Sequence, residues 1–128
     1  MTYLEKFNIL DAKVKRLEKM RSELVAEIHH TVINHFEEVS GVAVGKTIQY
    51  KGKKGVIHDV LITKIECSEH SKYYDVVEQI KGKTLKKDGT FSDTEILLNL
   101  RRIIFDSELG FDIDDYYGVR GSKYYFNI

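Results

Sequence analysis

From Tyr3 to Glu38 the apolar residues recur three and four positions apart, and no Gly or Pro interrupts them. That period predicts an amphipathic helix. Phe7, Leu10, Val14, Leu17, Leu24 and Ile28 take alternating a and d positions of one heptad frame, and Arg21, Thr31 and His35 stand in the same row. A helix of roughly 35 residues is about 50 Å long, more than a domain of this size can cover with its own core. The surplus face therefore predicts a partner helix. The partner is either the same helix of another copy, in a dimer or higher oligomer whose register Arg21 helps to define, or the helix's own second half, folded back after a break near Met20 to Ser22. Val25, Val32, Ile33 and Phe36 widen the apolar face toward the end of the helix, as expected where it lies on a sheet. Ser40-Gly41 is the predicted stop.

Beyond Gly41 the period changes to alternation, which predicts strands. In Gly45-Lys46-Thr47-Ile48-Gln49-Tyr50-Lys51-Gly52-Lys53-Lys54-Gly55-Val56-Ile57-His58-Asp59-Val60 two glycines bracket a tight turn between strands. Residues 45–60 resemble the opening of a KOW-type, SH3-like barrel, and the resemblance implies a small barrel that binds nucleic acid or a protein partner. Further strands are expected at Val56 to Glu66 and Tyr73 to Ile80, with a hairpin turn at Asp88-Gly89. Two readings stay open for residues 92–105. Ser92-Asp93-Thr94-Glu95 has the spacing of a capping box ahead of a helical face of Ile96, Leu97, Leu100, Ile103 and Ile104, which favours a helix; Glu95 to Leu100 also fits the second arm of the hairpin. Lys123 to Ile128 reads as a closing strand.

The fold class that follows is α+β, a single domain over residues 1–128. Residues 1–40 form a helical oligomerisation segment, and residues 41–128 form a small bent antiparallel sheet or SH3-like barrel that carries the binding function. Eight Tyr and six Phe supply the apolar surface such a core needs. One cysteine, Cys67, cannot form an internal disulfide, and neither a signal peptide nor a membrane span is legible, so the expected location is the cytoplasm. Twenty basic and twenty acidic side chains cancel, which argues against binding extended nucleic acid through a broad positive field.

The candidate chemistry is sparse. His29 and His30 point to different helix faces, and His30 and His35 are five apart, so no metal-ligand pair forms. Cys67 near His70 lacks an oxyanion signature, and a passive thiol is the expected reading. Asp106, Glu108, Asp112, Asp114 and Asp115 do not fit the EF-hand spacing and read as a solvated loop. Gly41-Val42-Ala43-Val44-Gly45-Lys46-Thr47 ends like a P-loop, but only three residues separate its glycines, and it follows a helix where a P-loop follows a strand.

A basic and aromatic group remains. Lys51, Lys53, Lys54, Lys81, Lys83, Lys86 and Lys87 gather around two turns, while Arg101, Arg102, Tyr116, Tyr117, Arg120, Lys123, Tyr124 and Tyr125 gather toward the C-terminus. Guanidinium forks grip phosphate and aromatic faces stack on bases, so Arg101, Arg102, Arg120, Tyr116, Tyr124 and Lys83 are candidate ligand-binding residues; of the adjacent pair Arg101 and Arg102, only one is expected to face a pocket. The same residues also fit a purely structural role, lysines guarding sheet edges and tyrosines packing between layers. No cofactor or metal is implied, and the absence of a catalytic constellation favours a non-catalytic binding protein. The long helix, compact sheet and neutral charge resemble, in general plan, the phage-encoded Thoeris anti-defence sponges. That resemblance implies sequestration of a nucleotide signal, although no ligand-binding residue carries over position by position.

Overall fold

The computed structural model describes residues 1–67 and 76–117. Helix α1 runs unbroken from Tyr3 to Ser40, 38 residues and about 57 Å. The break near Met20 to Ser22 does not occur, because the stretch contains no helix breaker and every turn can close its own hydrogen bonds. A capping box opens the helix: Glu5 N–H donates to Thr2 Oγ1 and Thr2 N–H donates to the Glu5 carboxylate, both at 3.1 Å. Gly41 ends it in the left-handed region (φ 74°), with its N–H donating to Glu37 O. Ser40 is buried there without an orphan group, since its hydroxyl donates to Phe36 O at 2.6 Å and accepts from Val42 N–H at 3.1 Å.

Five strands follow, β1 (Thr47–Lys51), β2 (Ile57–Cys67), β3 (Val77–Thr84), β4 (Ile96–Leu98) and β5 (Ile103–Ile104), in one antiparallel sheet of order β4-β3-β2-β1-β5. The fold class is therefore α+β. The sheet is not closed, for β4 and β5 are its two edges and pair only inward. Yet those edges are joined by the single 3₁₀ turn Leu100–Arg102. Four strand spacings across a flat sheet amount to about 19 Å, whereas a 3₁₀ turn advances only about 2 Å per residue. The sheet must curl so that its edges approach. Gly82 on β3 shows how tightly: a Cβ there would lie 2.5 Å from Val60 Cγ1 and 2.7 Å from Leu61 O.

The core lies on the concave side, from Val60, Ile62, Ile65, Val77, Ile80, Leu98 and Ile103, and α1 adds Phe36, which is fully buried. The helix reaches the sheet at the end of β2 and start of β3. There Phe36 meets Phe111 edge-on (5.7 Å between centroids) and Tyr116 at 5.6 Å. Tyr116 and Tyr117, in a helical turn over 113–117, complete the backbone of Val77: its N–H donates to Tyr116 Oη (3.0 Å), and Tyr117 Oη–H donates to its carbonyl (2.8 Å).

Residues 92–105 correct the favoured helical reading. The Asp88-Gly89 turn forms, with Lys86 N–H donating to Thr90 O at 2.7 Å and Asp88 accepting from Thr90 N–H, and it brings β4 alongside β3. Pairing with Ile80, Lys81 and Gly82 outweighs two turns of helix, because it fills the open edge of β3 and buries Leu98. The capping-box residues do other work: Thr94 N–H closes a turn on Ser92 Oγ, and Glu95 accepts from Thr63 Oγ1 at 2.5 Å. Strand β3 also runs on through Thr84, beyond the expected end at Ile80. Tyr73, Tyr74 and the expected closing strand 123–128 lie outside the described residues.

Candidate functional site

The open end of the curl, opposite the helix, holds a groove of about 530 Å³. It is built from the β1–β2 hairpin, the end of β3 and the β4–β5 turn. The two-glycine turn sets the hairpin register: Gly52 N–H donates to Val56 O (2.8 Å), Gly55 sits at φ 77°, and Tyr50 consequently faces His58 directly across the pair. Gly52 lacks a side chain where one is needed least, since a Cβ would lie 3.1 Å from the His58 ring. Tyr50 then reaches the far wall, its Oη accepting from Asn99 N–H at 2.9 Å.

Lys53, His58 and Arg102 give the groove its polar rim, and Val60, Ile96 and Leu97 its apolar wall; no acidic side chain is among the described residues that line it. Two fixed cations and an imidazole beside a tyrosine ring suit an anion attached to a flat ring system.

Of the basic and aromatic residues singled out in the sequence, Arg102 and Lys53 line this groove. Arg101, the neighbour of Arg102, points away and pairs with the Asp114 carboxylate on the surface. Lys83 alternates with groove-lining Thr84 along β3 and so belongs to the opposite side of the sheet. Tyr116 packs on Phe36 and Phe111 at the helix end of the core. Arg120 and Tyr124 lie outside the described residues. Tyr50, His58 and Asn99 were not among the predicted site residues; the glycine-bracketed turn, which fixes Tyr50 opposite His58, is the signal in the sequence that could have found the first two.

The other candidates resolve differently. Cys67 is buried, 3.8 Å from His29 O, and burial, with the Glu78 carboxylate adding to it, pushes its pKa from an ordinary 9.0 up to about 11. It is a protonated thiol at neutral pH, while His70 lies outside the described residues. Beside it a second groove of about 520 Å³ is lined by His29, Ile33, Glu66 and Glu78 among others. Glu66 bonds to Lys64 at 2.8 Å, which holds the carboxyl below its usual range. In the acidic stretch, Asp106 accepts from Glu108 N–H and Asp112 from Asp114 N–H, so two of its carboxylates serve as local caps. Among the described residues no group of three or more His, Cys, Asp or Glu is placed to hold a metal ion, and no helix is long and apolar enough to cross a membrane. In the segment ending Gly45-Lys46-Thr47, Gly41 is a helix cap and Gly45 a turn before β1.

Searches with this chain found no matching family model, no matching curated protein and no matching solved structure.

Proposed function

We propose that this is a non-catalytic binding protein whose groove at the open end of the curled sheet takes a small anionic ligand with a flat ring, a nucleotide or nucleotide-derived signal. One observation carries the reading: Arg102, Lys53 and His58 line the same groove as Tyr50, a groove of about 530 Å³, within the size range of small-ligand sites. The specific role that fits is sequestration in the cytoplasm, a nucleotide immune signal being held intact and so depleted, as the resemblance in general plan to the Thoeris anti-defence sponges would imply. The test is native mass spectrometry of the purified protein titrated with a panel of linear and cyclic nucleotides. Uptake of an intact nucleotide that Arg102→Ala abolishes and Arg101→Ala leaves unchanged supports the reading. No uptake from any member of the panel, or conversion of the nucleotide, overturns it.

A second reading, an SH3-like module for a protein partner, draws on the strand order β4-β3-β2-β1-β5 with a 3₁₀ turn between β4 and β5. It expects the same groove, with Tyr50 on its wall, to accept an extended peptide. Peptide-library binding that Tyr50→Ala removes, in a protein that ignores nucleotides, would favour it.

A further inference from the structure

We infer that the exposed face of α1 from Phe7 to Ile28 pairs with the same face of a second copy, in parallel and in register, as a two-stranded coiled coil. The inference stands apart from what the groove binds. Along this face the six apolar a and d residues are between 43% exposed (Ile28) and 63% exposed (Leu17), so the chain itself does not cover them. Nor does the sheet compete for them. It takes Val32, Ile33, Phe36 and Ser40, centred about a third of a turn round the helix from the a and d row, and Thr31 and His35 in that row stay exposed.

The flanking residues choose the occupant and its direction. Immediately before the four a positions stand Lys6, Lys13, Met20 and Glu27, and immediately after the d positions at 10, 17, 24 and 31 stand Asp11, Glu18, Val25 and Val32. In a parallel, in-register pair, each residue of the first set faces the residue five positions further on in the other chain. Lys6 then meets Asp11 of the second copy, Lys13 meets Glu18 and Met20 meets Val25, so these three contacts are matched in charge or in apolarity; the fourth, Glu27 with Val32, falls where the helix comes down on the sheet and Val32 packs against the core. Asp11 also bonds to Lys15 of its own helix at 3.0 Å through Oδ2, which leaves its other oxygen for Lys6. An antiparallel arrangement stacks Phe7 on Leu24 and Leu10 on Arg21; it sets Lys6 against Glu27 but also Asp11 against Glu18, so its attractive contact is offset by a repulsive one, whereas the parallel pair has two kinds of attractive contact and no repulsive one among its flanking residues. Arg21 faces its counterpart in the parallel pair, and a long cation in one layer can turn outward to water in a two-stranded seam more readily than in a wider bundle. Both sheets then stand at the same end of the coil, giving two grooves per assembly.

The test uses the full chain. Light scattering gives the mass of the unaltered protein, and Leu10→Cys in a Cys67→Ala background reports direction, because position 10 faces itself only when the helices are parallel and in register. The expected results are a dimer mass and a disulfide-linked dimer after mild oxidation. Lys6→Glu with Lys13→Glu should weaken association by on the order of tenfold to a hundredfold, and mixing with an Asp11→Lys, Glu18→Lys chain should restore it. A monomer at tens of micromolar, a trimer, or a dimer that does not cross-link would overturn the inference.

Discussion

Tyr50 on β1 accepts a hydrogen bond from the backbone N–H of Asn99, just after β4, although β1 and β4 are separated by two strands in the sheet. The bond is possible only because the sheet curls, and it holds the groove wall to its floor. Tyr50→Phe keeps the ring and removes the acceptor. Loss of about 1 kcal/mol is expected from urea denaturation, since the exposed N–H of Asn99 can turn to water. A larger loss would mean that the bond also restrains the curl.

Gly82→Ala should be among the most damaging changes on the sheet. The new methyl meets a side chain and a backbone carbonyl inside contact distance, and the carbonyl belongs to the β2–β3 ladder and cannot yield alone. A cost of about 3 kcal/mol is expected. Gly89→Ala has open space around it but sits at φ 88°, and should cost about 1 kcal/mol through backbone strain. Thermal or urea unfolding of the two variants, measured side by side, checks the order.

Cys67 sets a pH dependence on the alkaline side. In the folded protein burial holds the proton up to about pH 11, whereas the unfolded thiol releases it near its ordinary 9.0. Between those values the unfolded chain binds fewer protons, so the contribution is fully present below pH 9 and is lost as pH rises toward 11. Denaturation midpoints of the wild type should therefore fall more steeply between pH 9 and 11 than those of Cys67→Ala, in which the shared tyrosine and lysine titrations remain. For the same reason an aromatic disulfide reagent should label the native thiol at pH 8 far more slowly than the urea-unfolded one.

Much of this fold was legible in the sequence, and the failures are instructive. The helix, its end at Gly41, the β1–β2 hairpin and the Asp88-Gly89 turn all rest on local signals: period, capping and turn residues. Among the described residues the element that differs is Ile96 to Ile104, favoured as a helix: it has a helical face but also lies across a short hairpin from an unfilled sheet edge, and non-local pairing prevails. Local sequence cannot weigh that edge. The capping spacing at Ser92 to Glu95 starts no helix, whereas Thr2 with Glu5, which has the same spacing, does cap one, so spacing alone does not separate the two.

The candidate site was legible only in part. That one of the neighbours Arg101 and Arg102 faces a pocket follows from the chain, because adjacent residues point apart, but which one does not; Arg102 lines the groove and Arg101 pairs with Asp114. Tyr116 belongs instead to the aromatic cluster beside Phe36, and its hydroxyl accepts from Val77 N–H, a structural use that composition cannot distinguish from base stacking. Tyr50 and His58 become a pair only through strand register, and Asn99 joins them only through the curl.

Ligand is expected between Tyr50, His58 and Arg102, and amide chemical-shift mapping would locate it residue by residue. A ¹⁵N-labelled sample would be titrated with whichever nucleotide of the panel is retained. The expected result is saturable shifts concentrated on residues 50–58, 84 and 96–102, absent in Arg102→Ala. Shifts clustered instead around Lys64, Glu66 and Cys67, or spread thinly over the exposed lysines without saturation, would contradict it.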